Sequence, residues 1–198
     1  MSQGTISEYA TPGRGPMPAA PISMQEFGEM KETALFTNED VQYLRMSWEV
    51  LRDQVDAVLD VWYNFFASHP FLAQTFSRRS DGQVDQRYLT AVRQRFGQWI
   101  EATAKANYNQ RWLNDQYEIG RRHHRTAKNQ TDHVDSVEIV PFRYLAPSVV
   151  PLVTTLKPFL ANKGHTPDQI EKMYQGWLKS MLLQVTLWSQ PYVKEGDF

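Results

Sequence analysis

The stretch Gln-Tyr-Glu-Ile-Gly-Arg-Arg-His-His-Arg, residues Gln116 to Arg125, decides how this chain is read. Adjacent histidines stand there beside Arg121, Arg122 and Arg125, near the end of an amphipathic pattern that covers Tyr108 to Arg125. On a helical wheel of about 100° per residue, Trp112, Leu113, Tyr117 and Ile119 define an apolar arc. His123 and His124 both fall within that arc, on opposite sides of its centre, and the three arginines point away. One imidazole therefore faces the interior, and periodicity does not say which. A histidine satisfied by a backbone carbonyl accounts for that pattern without any ligand. A catalytic zinc site calls for H-E-x-x-H or a third ligand nearby, and the sequence has neither.

Outward from this segment the same periodicity recurs. Residues 1–22 hold Pro12, Pro16, Pro18 and Pro21 with Gly4, Gly13 and Gly15, a composition suited to an extended arm. Residues 23–198 then read as one domain. A short helical pattern carries Met24, Phe27, Met30 and Leu35. Thr37 is an N-cap with Asp40 three positions on, and the pattern behind it runs unbroken to about Ser68, ended by His69-Pro70. Val55, Leu59, Trp62 and Phe66 share its stripe, with Tyr63 at the edge. Helix resumes over about Asp85 to Ala106, where Leu89, Val92, Phe96, Trp99 and Ile100 share a face. Lys128 to Val140 has no apolar period and reads as a loop. A pattern from Pro141 to Asn162 contains Pro147, Pro151 and Pro158, which predict bends or interrupted bonding. Thr166-Pro167-Asp168-Gln169 opens the last helix, which runs to about Ser189. No strand-like alternation appears, so the fold class is all-α.

Composition narrows the chemistry. The 198 residues include no cysteine, which removes disulfides, thiolate nucleophiles, iron–sulfur clusters, Cys-based zinc sites and covalent haem attachment together. A net charge of -1 gives no electrostatic case for nucleic acid. No run of about 18 apolar residues exists to span a membrane. The N-terminus lacks the apolar core of a signal peptide, which makes the cytoplasm the expected location. Adjacent histidines on a helix diverge too far to share one metal ion. A single axial bond to a haem iron needs only one of them and suits an all-α context. Aromatic residues make up 13%, compatible with a flat macrocycle but equally with an ordinary core.

Longer strings carry more. Asp60-Val61-Trp62-Tyr63, the Ser68-His69-Pro70 ending, Tyr88 to Phe96, Gln116 to Thr126, Lys157-Pro158-Phe159-Leu160, Lys163 to Pro167 and Trp188 to Lys194 together resemble the protoglobins. These are single-domain haem proteins of the globin superfamily, related to the sensor domains of globin-coupled sensors. The resemblance is close from about Phe36 onward and loose across the arm. It implies a globin fold with an extra N-terminal helix, and non-covalent haem b. It implies that His123 is the proximal iron ligand and His124 is structural or solvent-facing. Tyr63 would be the distal tyrosine, Trp62 would lie beside it and restrict access, and Phe96 would be the bulky distal residue. Val92, Ile119, Leu145 and Ser148 complete the expected haem contacts. Ser148 departs from the aromatic residue common in the family, and a small side chain there implies a larger distal pocket. Arg121, Arg122, Arg125 and Lys128 lie near a helix C-terminus, where positive charge complements the dipole, and one of them could also reach a haem propionate.

The function so implied is reversible binding of O2, CO or NO at a pentacoordinate, histidine-ligated iron. Two alternatives compete. One is a haem enzyme with weak peroxidase, NO-detoxifying or carbene-transfer activity. The other is a haem-free globin fold used for protein interaction. The resemblance also implies a homodimer through the two C-terminal helices, where Met173, Tyr174, Trp177, Leu178, Met181, Leu182, Val185 and Trp188 are apolar.

Overall fold

Local signals start and stop the helices of the computed structural model, which describes residues 17–198. Most of the Pro/Gly-rich arm, with Tyr9 and its neighbouring glycines, lies outside the described residues. Helix α1 (Met24–Thr33) opens on a capping box in which Ser23 and Glu26 satisfy each other's backbone donors. Helix α2 (Asn38–Leu51) begins behind Thr37, whose N–H donates to the Asp40 carboxylate at 2.7 Å. At the other end of the chain α10 (Pro167–Trp188) carries the expected Thr166–Gln169 box with Pro167 at its first position.

The pattern from Thr37 to Ser68 is two helices rather than one. Between α2 and α3 (Val55–Ala67), the Gln54 N–H turns back to the Leu51 carbonyl at 2.7 Å. The Gln54 side chain takes the Val50 carbonyl at 2.7 Å and so replaces a helical bond. A polar side chain competing for backbone acceptors breaks the helix without any glycine or proline. A single turn, α4 (Pro70–Ala73), and a 3-10 turn (Gln74–Phe76) follow. Helix α5 (Gln86–Lys105) starts at Asp85, which accepts from the Tyr88 N–H.

Helix α6 (Gln110–His123) is shorter than its periodicity predicts. Its last helical residue is His123, and His124 is extended, with ψ 158°. The prolines between Pro141 and Asn162 interrupt that segment into α7 (Phe142–Leu145), α8 (Val149–Thr154) and α9 (Leu156–Leu160). Pro151 and Pro158 each fall third in a short helix, where no intrahelical N–H is needed. Residues Lys128 to Val140 form turns, as expected, with Arg78↔Ser136 as an isolated bridge.

Helix α10 is the organising element. It packs on α2, α6, α8 and α9, and α2 packs in turn on α5. Trp177 is fully buried, and its indole N–H donates to Ser47 Oγ at 2.9 Å. A second apolar group of Phe27, Trp112, Leu113 and Leu187 fixes α1 to α6 and α10. Ala20 joins it from the arm, with its N–H on Asn114 Oδ1 at 2.9 Å.

Of the apolar residues expected to form an interface, Met173, Trp177, Met181, Val185 and Trp188 are instead buried within the chain. The surface left over is narrower, with Leu182 at 49% exposure and Val150 on α8 at 62%.

Candidate functional site

A cavity of about 210 Å³ lies among α3, α5, α6 and the α7–α8 segment. Tyr63, Val92, Phe96, Ile119, His123, Leu145 and Ser148 all line it. Of the residues singled out in the sequence, Trp62 does not. It turns from Tyr63 into the core, where its indole N–H donates to Thr155 Oγ1 at 2.8 Å. Its ring packs on Phe96 and Trp99, with centroids 5.0 and 6.1 Å away, so it backs the cavity wall. Neighbours along a helix diverge, and one tryptophan–tyrosine pair cannot present both faces to one space.

The histidine question resolves at the end of α6. Because the helix stops there, the wheel's symmetric placement of the two imidazoles does not hold. The His123 carbonyl is taken by the Val140 N–H at 2.8 Å, which turns the chain away. His124 leaves the apolar face and packs edge-on against Tyr192. His123 stays on that face and lines the cavity. Its Nδ1 lies 2.8 Å from the Ile119 carbonyl, an oxygen that only accepts, so Nδ1 carries the proton. Nε2 therefore keeps its lone pair. Burial pulls the His123 pKa down to about 4, so the ring is neutral at pH 7. A neutral imidazole with a fixed tautomer and a free Nε2 is what an axial metal bond requires.

Tyr63 supplies the second chemical feature. Its hydroxyl is buried and has no hydrogen-bond partner among the described residues. Burial pushes its pKa well above the usual phenol range, so it remains a neutral donor. An orphaned hydroxyl of this kind costs about 1–3 kcal/mol unless something else accepts from it. The Arg93 guanidinium sits over the ring, 5.6 Å from its centroid.

One part of the lining is polar. Arg95 and Asp132 form a paired bridge at 2.9 and 2.7 Å. Lys128 is 3% exposed, and its ammonium donates to the Thr75 carbonyl and Ser136 Oγ. Arg122 also lines the cavity, whereas Arg121 and Arg125 do not. Lys128 was one of four basic residues singled out. The pairing of Arg95 with Asp132 has no local sequence signal, because it joins α5 to a loop residue 37 positions further on. Phe76, Tyr144 and Trp188 also line the cavity, brought in by tertiary packing.

Lys128 makes stability depend on pH. Burial lowers its pKa from 10.5 to about 8. The unfolded chain therefore binds more protons than the folded one between those values, and stability rises with pH through that window. Below about pH 8 the buried charge opposes folding by roughly 3 kcal/mol. Lys128→Met is expected to raise the urea midpoint of the haem-free protein at pH 7 and to flatten its rise between pH 8 and 10. An unchanged pH profile in the variant would show that another group is responsible.

The residues present fit a haem. An apolar cavity holds one neutral imidazole with a free nitrogen, one unpartnered hydroxyl and a cationic margin for carboxylates. Comparison with known proteins agrees at the level of fold. The structure is similar to the globin domain of the Geobacter sulfurreducens globin-coupled sensor, with a TM-score of 0.66 at 16% identity, over 87% of this chain and 99% of that one. The fold is thus a globin fold, all-α, with an additional N-terminal helix. The protoglobin family model matches residues 23–198, and the chain belongs to the protoglobin family. No curated protein matches it.

Proposed function

We propose that this protoglobin holds one non-covalent haem b and reversibly binds O2, CO or NO. The observation that carries the reading is His123: neutral, tautomerically fixed and with Nε2 available in a cavity that also holds the orphaned Tyr63 donor. His123 would hold the iron through Nε2. Phe96, Val92, Ile119 and Leu145 form apolar walls, and Trp62 stiffens the wall behind Phe96. Arg95, Arg122 and Lys128 offer positive charge to the propionates. Bound haem would supply the ferrous iron that holds a diatomic gas.

The chain's own contribution is then differential. Tyr63 donates its unused hydrogen bond to a ligand that carries negative charge, which favours O2 over CO. The Ser148 hydroxyl already donates to the Leu145 carbonyl at 2.6 Å, so Ser148 adds space rather than a free donor. His123 is the only histidine lining the described cavity. Peroxide activation benefits from a distal general base, and a neutral tyrosine serves poorly there, which favours gas binding over an enzyme.

The remaining members of the proposal are a cytoplasmic protein and a homodimer whose contact includes Leu182 and Val150. Among the described residues no helix is long and apolar enough to cross a membrane. Gel filtration is expected to give twice the 23.0 kDa chain mass, and elution as a monomer at micromolar concentration excludes the dimer.

Tyr63→Phe tests the distal assignment in two opposite directions. Loss of the donor is expected to speed O2 dissociation by about tenfold, with CO dissociation little changed. The same change removes an unsatisfied buried hydroxyl, so the haem-free protein is expected to gain about 1 kcal/mol. Stopped-flow kinetics and urea unfolding read the two effects. Equal O2 dissociation rates in wild type and variant would remove Tyr63 from the ligand site.

A further inference from the structure

Three residues on one face of α6, spaced at i, i+4 and i+7, meet a single partner, Trp188 at the end of α10. Gln116 accepts from the Trp188 indole N–H at 2.8 Å, and both side chains are buried. At Gly120 a Cβ would stand 2.8 Å from the Trp188 carbonyl oxygen and 2.9 Å from its Cα, so only glycine permits this approach. His123 stacks on the Trp188 ring, with centroids 5.7 Å apart and planes 16° from parallel.

These contacts constrain different freedoms. The Nδ1 bond to Ile119 sets the tautomer and the direction in which Nε2 leaves the ring. That single bond restrains χ2, a broad torsion in histidine, from one edge of the ring only. The indole stacked beside it restrains the same torsion from the face of the ring. Trp188 is in turn held by Gln116 and by the missing side chain of Gly120. The geometry points to Trp188 as a positioning residue that fixes the plane of the proximal imidazole, with Gln116 and Gly120 as its cradle. This rests on the haem reading proposed above. With haem bound, a held imidazole plane would give the iron–histidine bond one defined environment, and a loosened plane would give it several.

The test is the iron–histidine stretching band in the resonance Raman spectrum of the reduced, haem-loaded protein without gas. Wild type, Trp188→Phe, Trp188→Leu and Gln116→Leu are compared, with helicity checked by circular dichroism. Trp188→Leu removes the flat face, and its band is expected to shift and broaden. Trp188→Phe keeps a ring, and its band is expected to stay closer to that of wild type. A folded, haem-loaded Trp188→Leu with the wild-type band overturns the assignment. Where Trp188→Leu does not fold, Gln116→Leu decides: a broadened band supports the assignment and an unchanged one overturns it. A wild-type protein with no histidine–iron band overturns the haem reading itself, which separates the two failures.

Discussion

Gly120→Ala is expected to destabilise the protein by about 2 kcal/mol and lower its Tm by roughly 4–8 °C. Two effects oppose one another. Alanine is the better helix former by about 1 kcal/mol, which would stabilise α6. Against this, the new methyl would overlap the Trp188 carbonyl oxygen at 2.8 Å and its Cα at 2.9 Å. Those are backbone atoms in the last turn of α10, so no side chain can rotate away, and α6 must lift. The clash therefore outweighs propensity. Gly28 in α1 is the control, since a Cβ there meets nothing within 4 Å. Gly28→Ala is expected to stabilise by about 1 kcal/mol, because only the propensity effect remains. Thermal unfolding followed by circular dichroism separates the two. Equal and positive shifts in both variants would contradict the close approach of α6 and α10.

The second large effect is expected at Glu118. Its side chain is 3% exposed and accepts from Arg121 and Arg122 at 3.0 and 3.1 Å. Arg122, at 12% exposure, also lines the cavity. Glu118→Leu keeps the volume roughly and removes the carboxylate that both cations share. Breaking a buried pair from one side is destabilising by about 3–5 kcal/mol. Arg121 at 28% exposure still reaches water, so the lower end of that range is expected, about 3 kcal/mol. The surface pair Arg52–Glu49, at 57% and 62% exposure, is the contrast, and Glu49→Leu is expected to change stability by less than about 0.5 kcal/mol. Denaturant unfolding of both variants measures the difference. A Glu118→Leu protein as stable as wild type would mean that the arginines find equal solvation elsewhere.

Much of this architecture was legible because it is written locally. The boxes at Thr37 and Thr166 and the proline interruptions after Pro141 all depend on residues within four positions of one another. The stripes that carry Val92 and Phe96 on α5 and Ile119 on α6 into the cavity follow from the helical repeat. What the sequence hid is non-local. The end of α6 at His123 depends on the Val140 N–H, far along the chain, so the wheel kept both histidines on the apolar face. Lys128 lies in a segment without periodicity, yet tertiary contacts with Thr75 and Ser136 bury it. Trp188 read as surplus apolar surface, and its real neighbours are Gln116, Gly120 and His123. The break at Gln54 has no sequence signature, because glutamine is an ordinary helix residue until its side chain captures a carbonyl. The resemblance singles out His123 over His124, and the end of α6 explains only why His123 is the imidazole that lines the cavity.

The account stands on a histidine-ligated haem, and visible absorption tests it most directly. Purified protein is titrated with hemin, reduced, and then exposed to CO, beside His123→Ala. Saturation at one haem per chain is expected, with a sharp Soret band that moves under CO. In His123→Ala that band is expected to be lost or altered, and added imidazole is expected to restore it. A wild-type spectrum like that of free hemin, from a chain still helical by circular dichroism, would contradict the account.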